Sequence, residues 1–133
     1  MTAEYVGKLT TRYPRIREVW LYGSRANNCW GPDSDWDYLA FADDDTLADL
    51  AGDVEFHVTG IDLMVVADGV RFAKPWIDDG RQKTGTLSTD DGAGGLAWKL
   101  ISPSEARYRA TKPGEGFAVK VLEDQKAIRV YPR

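Results

Sequence analysis

The feature that most constrains this chain is an apolar run that ends at the corner Gly23-Ser24 and is followed, after ten intervening residues, by Asp35-Trp36-Asp37. Side chains alternate along a strand, so two aspartates two positions apart project from one face. Like charges held that close are unfavourable unless a cation lies between them. A glycine-serine corner after a strand presents backbone N–H groups that suit an anion. The stretch therefore indicates a bound metal beside a phosphate-bearing ligand.

The distribution of charge supports the same interpretation. Residues 1–30 carry five Lys/Arg and two acids, residues 31–70 carry no Lys/Arg and eleven acids, and residues 71–133 carry twelve and eight. An acidic middle between basic flanks suits a divalent metal with a phosphate ligand, whereas long duplex DNA favours a continuous basic face. We expect the three consecutive aspartates at 43–45 to be a solvated loop, as charge runs usually are, and to inflate the acidic count.

Length and composition exclude several classes of protein. A chain of 133 residues indicates one domain over residues 1–133. Cys29 is the only cysteine and His57 the only histidine, so no intramolecular disulfide can form, and a zinc site or a Ser-His-Asp hydrolase lacks a supporting signature. No apolar run approaches the roughly 18 residues of a membrane span, and no signal peptide is apparent. We expect a cytoplasmic protein that binds no membrane.

Hydrophobic periodicity predicts a mixture of helices and strands. We expect helices over residues 2–13 and 46–51, and strands over 15–22, 34–41 and 60–66. A β-rich extension over about 97–133 should contain a β-hairpin made of 117–122 and 126–131, paired with a strand in 97–102.

Asp62 adds a third carboxylate, set in the otherwise apolar strand 60–66. An aspartate there is costly unless it is paired or binds a ligand. If that strand neighbours the strand 34–41, then Asp35, Asp37 and Asp62 converge. Carboxylate oxygens are the ligands that Mg²⁺ prefers, and metal ions neutralise the charge that develops in phosphoryl transfer.

Each group at such a site would have its own role. Asp62 would bind a second metal and help to deprotonate the attacking hydroxyl. Ser24 and the backbone of Gly23 would hold a triphosphate, with Arg25 as a charge partner. Lys74 and Arg71 follow the third strand, and we expect them to be solvated in preference to reaching the phosphates.

Three competing interpretations are weaker. Residues 33–37 open like an EF-hand loop, but the sixth position is Tyr38 where the turn needs glycine, and the twelfth is Asp44 instead of glutamate. The aspartate pair could instead be a simple turn after Gly31-Pro32. Residues 93–95 are glycine-rich but lack the ending of a P-loop, so we expect a plain loop there.

The corner, the Asp-x-Asp pair and Asp62 together resemble the signature of the nucleotidyltransferase superfamily of the DNA polymerase β type. The resemblance covers residues 16–66 and is greatest to the minimal nucleotidyltransferases, small domains often paired with HEPN toxins. It implies an α/β (α+β) core with a mixed β-sheet and flanking helices. It also implies two Mg²⁺ ions on the three aspartates, with Mn²⁺ as a substitute, and transfer of a nucleoside monophosphate from an NTP with release of pyrophosphate.

The resemblance leaves three hypotheses open. In the first, the chain transfers AMP from ATP to a protein or RNA hydroxyl, as an AMPylating antitoxin of a HEPN-type toxin would. In the second, it is a catalytically inactive module that binds a nucleotide or a partner. The third is adenylation of a small molecule, as in aminoglycoside-modifying enzymes. It is disfavoured because the extension at 97–133 is not the helical second domain of larger members, unless a homodimer supplies the other wall of the pocket.

Overall fold

The predicted helices and strands up to residue 66 are all present, and each has one boundary shifted by one to three residues. The computed structural model describes residues 2–28, 31–77, 80–88, 96–113, 119–121 and 125–132. Within these ranges the chain forms two α-helices, one short 3-10 helix and nine strands. In chain order they are α1 (Thr2–Arg12), β1 (Glu18–Tyr22), β2 (Trp36–Phe41), α2 (Asp44–Ala51), the 3-10 helix (Val54–Phe56), β3 (Ile61–Val66), β4 (Arg71–Ala73), β5 (Thr84–Ser88), β6 (Leu96–Ser102), β7 (Glu105–Pro113), β8 (Val119–Val121) and β9 (Gln125–Tyr131).

Eight of these nine strands form a ring, which we call the closed sheet. Their order is β6-β5-β4-β3-β2-β1-β9-β7, and β7 pairs back onto β6. The pairing is parallel between β2 and β3 and between β5 and β6, and antiparallel elsewhere in the ring. The expected α+β chain with a mixed sheet is therefore confirmed.

The inner face of the closed sheet is packed with apolar side chains. One cluster takes a side chain from each of the eight strands: Trp20, Leu39, Met64, Phe72, Leu87, Trp98, Tyr108 and Ala127. The rings of Trp20 and Trp98 meet edge to face, with centroids 5.4 Å apart. Because side chains fill the middle of the ring, a ligand would have to bind at one of its two ends.

Both α-helices pack on the outer face of β1, β2 and β3. Leu9 of α1 and Leu50 of α2 are buried there against Val19, Tyr38 and Leu63. A parallel strand pair needs a long crossover, and here α2 and the 3-10 helix supply it between β2 and β3. Among the described residues, no helix has the length and apolar character that a membrane crossing requires.

The acidic run at 43–45 was expected to be a solvated loop, and this expectation is wrong because the run begins α2. Asp43 is the N-cap, and its side chain accepts a hydrogen bond from the Thr46 N–H at 2.8 Å. Arg15 Nε lies 2.7 Å from the other carboxylate oxygen of Asp43. An N-cap aspartate satisfies a free N–H group, and acids in the first turn interact favourably with the helix dipole.

The C-terminal extension is β-rich, but its strands do not pair as expected. β8 pairs with β7, and β9 pairs with both β7 and β1, so the predicted hairpin between 117–122 and 126–131 is wrong. The hairpin in this region is formed by β6 and β7, with a turn at Pro103-Ser104. β7 was not predicted, although Ala106 and Tyr108 alternate with Arg107 and Arg109 along it. Residues 117, 118 and 122 of the predicted first strand of that hairpin, and residues 123–124 of the turn expected between its strands, lie outside the described residues.

Candidate active site at one end of the closed sheet

Asp37 and Asp62 are neighbours at one end of the closed sheet. β2 and β3 run parallel, and Asp37 is the register partner of Asp62. Each lies two positions before a residue of the inner cluster, Leu39 in β2 and Met64 in β3. Side chains alternate along a strand, so both carboxylates belong to the inner face at the same end. The expectation that these two strands are neighbours is confirmed.

Asp35 lies at this end too, but outside the strand. It precedes the first residue of β2 and is exposed to solvent. Its negative charge contributes to raising the pKa of Asp37, so the two carboxylates are within electrostatic reach of each other. The structure therefore places all three predicted aspartates around one end of the ring.

The charges at this end are unfavourable to one another. Burial raises the pKa of Asp37 to about 6, with further contributions from the charges of Asp62 and Asp35, while Lys83 acts in the opposite direction. Burial and the neighbouring Asp37 and Asp62 also raise the pKa of the Tyr22 hydroxyl. A carboxylate that is half protonated near pH 6 would gain from a cation, because a cation stabilises its charged form.

Asp62 already has a cation beside it. Lys74, directly after β4, holds its Nζ 3.2 Å from Asp62 Oδ1. That oxygen is buried and makes no hydrogen bond to any residue that the structure describes, so Lys74 compensates its charge without an aligned N–H···O contact. Lys74 was expected to be solvated, and its burial contradicts this expectation.

The donor set suits a divalent ion at Asp37 more than at Asp62. Carboxylate oxygens are the ligands of Mg²⁺, and the repulsion around Asp37 is of the kind that a metal relieves. Asp62, in contrast, faces the ammonium of Lys74. Over the described ranges, no group of three or more Asp, Glu, His or Cys side chains is close enough to hold a metal. The residues thus fit an ion at the Asp35 and Asp37 side, and the full three-carboxylate arrangement is not preassembled.

The corner at Gly23 is shaped by Asp37. Gly23 has a φ of +75°, in the left-handed region that favours glycine. A Cβ placed on it would collide with Asp37 Oδ2 and lie 3.1 Å from Asp37 Cγ. The absence of a side chain at residue 23 therefore makes room for the carboxylate of residue 37.

The backbone N–H of Gly23 has a partner within the protein. It donates to the hydroxyl oxygen of Tyr108 in β7 at 2.7 Å, and that hydroxyl donates to Gln125 Oε1 at 2.7 Å. The turn continues with the Ala26 N–H donating to the Gly23 carbonyl at 3.2 Å and the Asn27 N–H to the Ser24 carbonyl at 3.2 Å. Binding of a triphosphate by Gly23 and Ser24 stays a prediction, and it would require the Gly23 N–H to exchange its partner.

Asn27 attaches the same turn to the last strand. Its Nδ2 donates to the Lys126 carbonyl at 3.0 Å, and its Oδ1 accepts from the Lys126 N–H at 2.9 Å. Tyr108, Gln125 and Asn27 were all missed by the sequence analysis. Of these, only Tyr108 had a usable signal, the alternation of apolar and basic residues along β7.

Arg25 contacts the segment that leads to the aspartate pair. Its Nη2 donates to the Ser34 carbonyl at 3.0 Å, and its guanidinium lies over the Trp36 ring, 4.4 Å from the centroid. Arg25 therefore supports the approach to Asp35, and its predicted role toward a triphosphate stays a prediction. The glycine-rich residues 93–95, expected above to be a plain loop, lie outside the described residues.

Comparison with known proteins identifies one family. A family model described as a nucleotidyltransferase domain matches residues 3–84. The matched region contains the Gly23 corner, the three aspartates and Lys74, and it ends at the beginning of β5. No curated protein matches the chain.

Proposed function

Because this chain belongs to the nucleotidyltransferase domain family, with nucleotidyl transfer as its general activity, we propose that it moves a nucleoside monophosphate from an NTP to a hydroxyl acceptor. The observation that carries the proposal is the pair Asp37 and Asp62, held in register at one end of the ring with Asp35 beside them. Mutual repulsion of this kind is typical of sites that bind a cation or carry out acid–base chemistry.

Magnesium is the metal we propose, held by Asp37 and Asp35. The family generally depends on a divalent metal, and oxygen ligands of this type suit Mg²⁺, with Mn²⁺ as a substitute. When bound, the ion would neutralise negative charge on the phosphates. The sequence-based expectation of two ions, with the second on Asp62, has to be weighed against the ammonium of Lys74 beside that carboxylate.

The proposed transfer step needs an acceptor hydroxyl, an NTP and a group of this site that takes up the hydroxyl proton. The oxygen of the acceptor hydroxyl would form a bond to the α-phosphorus, the bond from that phosphorus to its bridging oxygen would break, and pyrophosphate would leave. The hydroxyl proton would pass to the carboxylate of Asp62, which lies at the end of the ring and partly open to solvent. The Gly23 corner would position the triphosphate.

For the substrates we propose ATP as the donor and a protein or RNA hydroxyl as the acceptor. AMP transfer to a HEPN-type toxin, by an antitoxin of the minimal type, is the most concrete form of this proposal. Its basis is the likeness of the corner and aspartate spacing to that group, together with the absence of a basic duplex-binding face in the middle of the sequence.

A second candidate is an inactive module that binds a nucleotide or a partner. Two contacts favour it: the Gly23 N–H is bonded to Tyr108, and the Asp62 carboxylate is paired with Lys74. Tight nucleotide binding without metal-dependent turnover would support this candidate.

The test is label transfer from α-labelled ATP in the presence of Mg²⁺. We expect Asp37→Ala and Asp35→Ala to reduce transfer on the order of 10³-fold. Asp44→Ala, an exposed aspartate of α2, is the matched control and should keep the wild-type rate. Full transfer by the Asp37 variant would refute the site assignment.

A further inference from the structure

Lys74 is unusual among the charged side chains of this chain. In the part that the structure describes it is the one charged residue classed as buried, with 8% of its surface exposed. Lysine is almost never buried without a partner, because its ammonium loses hydration that only a nearby anion can replace.

The main chain holds Lys74 in place from both sides. Its N–H donates to the Lys83 carbonyl at 2.9 Å, and its carbonyl accepts from Gln82 Nε2 at 3.1 Å. Two residues later Trp76 is buried, with its Nε1 donating to the Asp53 carbonyl at 3.2 Å. With the backbone fixed in this way, the ammonium stays within reach of the inner end of the closed sheet.

The position of the ammonium limits what else Asp62 can bind. Nζ is 3.2 Å from Asp62 Oδ1, and the two side chains are 11% and 22% exposed. A divalent ion on that oxygen would lie about 2 Å from it and thus only a few ångströms from Nζ. Repulsion between the two cations would be poorly screened in so buried a place.

We propose that Lys74 is the resident cation of Asp62 and takes the position that a second metal ion would need, so the site binds one divalent ion instead of two. The single ion belongs to Asp37 and Asp35, where no lysine ammonium is within ion-pair distance among the described contacts. The role of that ion in nucleotidyl transfer rests on the proposed function, whereas the pairing of Lys74 with Asp62 does not.

Counting bound Mn²⁺ on the full chain tests this directly. Electron paramagnetic resonance of free Mn²⁺ gives the number of ions bound and their affinities, with and without a non-hydrolysable ATP analogue. We expect one ion on the wild type and on Lys74→Arg, which keeps the charge. Lys74→Met should bind a second ion, with an affinity at least about tenfold higher than any second ion has for the wild type. Lys8→Met, an exposed lysine of α1, is the matched control and should bind one ion.

A second measurement tests the ion pair of Lys74 and Asp62 independently of metal binding. Thermal unfolding of Lys74→Met, Asp62→Asn and the double variant, all without metal, gives the coupling between the two residues. We expect Asp62→Asn alone to lower the melting temperature most, because it leaves the ammonium buried without its carboxylate, and the double variant to recover part of the loss.

The outcomes are distinguishable. Two Mn²⁺ ions of similar affinity on the wild type, or an unchanged count in a folded Lys74→Met, would overturn the proposal. A wild-type chain that binds no Mn²⁺ contradicts the metal-dependent function and the single-ion assignment together. The unfolding measurements then decide the pairing. Additive effects of Lys74→Met and Asp62→Asn on the melting temperature would overturn it, and a clear coupling between them would uphold it.

Discussion

Two aspartates of this chain, Asp37 and Asp43, are placed in opposite electrostatic settings. Hydrogen bonds from Thr46 and the nearby guanidinium of Arg15 hold the pKa of Asp43 below its usual range. Burial and two neighbouring carboxylates raise the pKa of Asp37 to about 6. The charge of Asp43 therefore stabilises the fold, while the charge of Asp37 opposes it until a cation arrives.

The difference separates structural carboxylates from candidate functional ones. A group whose surroundings disfavour its charge is retained at a cost in stability, and such groups are concentrated at active sites. Burial is the largest cause of the raised pKa of Asp37, whereas hydrogen bonds are the largest cause of the lowered pKa of Asp43. The charged neighbours add to this difference, since Asp43 faces the helix N-terminus and Arg15 while Asp37 faces other acids.

The strongest test of this contrast is Asp37→Asn. We expect transfer to fall on the order of 10³-fold while the metal-free protein becomes more stable above pH 6. The raised pKa means that folded Asp37 holds a proton between about pH 4 and pH 6 that the unfolded chain has released, so its contribution to stability falls as pH rises through that window. Asparagine removes this loss.

The gain in stability is measurable by urea unfolding at pH 5 and pH 8. The shift corresponds to about 3 kcal/mol, which solvent screening of a partly exposed group reduces to roughly 1–2 kcal/mol. The gain should be larger at pH 8 than at pH 5. A variant that is less stable than the wild type at pH 8 would show that Asp37 is a structural carboxylate.

The next effect concerns the corner beside Asp37. Gly23→Ala should strain the backbone by about 1–2 kcal/mol and push the carboxylate away, reducing transfer roughly 10–100-fold. Gly69→Ala is the control, because Gly69 also has a positive φ but has open space around it. It should lose a similar amount of stability and keep Mn²⁺ binding. Equal Mn²⁺ affinities in the two variants would mean that the collision with Asp37 is harmless.

A smaller effect is expected at Tyr108. Tyr108→Phe removes the acceptor of the Gly23 N–H and the donor to Gln125, at a cost of about 1 kcal/mol in unfolding free energy. If the corner holds the triphosphate, KM for ATP should change more than kcat. The reason is that the freed Gly23 N–H lies at the end of the closed sheet where the triphosphate would bind. Steady-state kinetics on the wild type and the variant measures the two constants, and an effect on kcat alone would contradict this role.

The smallest effect is expected at Asp43, and it should have the opposite sign to that at Asp37. Asp43→Asn leaves an N-cap side chain but removes the charge that faces Arg15, so it should lower stability slightly and leave transfer unchanged. Because the pKa of Asp43 is lowered in the folded chain, its contribution is present above its unfolded pKa and disappears as pH falls through the folded value. The difference between the melting curves of the two proteins should therefore be smaller at pH 3 than at pH 7.

Local sequence predicted the half of the site that is built from short-range geometry. Strand alternation pointed to the Asp35-Trp36-Asp37 pair, and the isolated acid in an apolar strand identified Asp62. Both inferences needed only a few neighbouring residues. The helix cap at Asp43 was also local, but the run of three acids concealed it.

The other half of the site depends on contacts that no local pattern contains. The Gly23 N–H meets a residue 85 positions away, and Asn27 meets one 99 positions away. Lys74 is a lysine after a strand, which in sequence indicates a solvated residue, but in the folded chain it is buried beside Asp62. The pairing of β7 with β6 and β9 was the missing information.

The bonds from Tyr108 and Lys126 to the corner also affect how the site comes into being. Contacts between such distant parts of a chain form late, since the entropy of closing so large a loop opposes them. The strands that carry Asp37 and Asp62 can pair earlier, because fewer residues separate them. A newly made chain would thus hold its carboxylates together before the Gly23 corner is attached to β7 and β9.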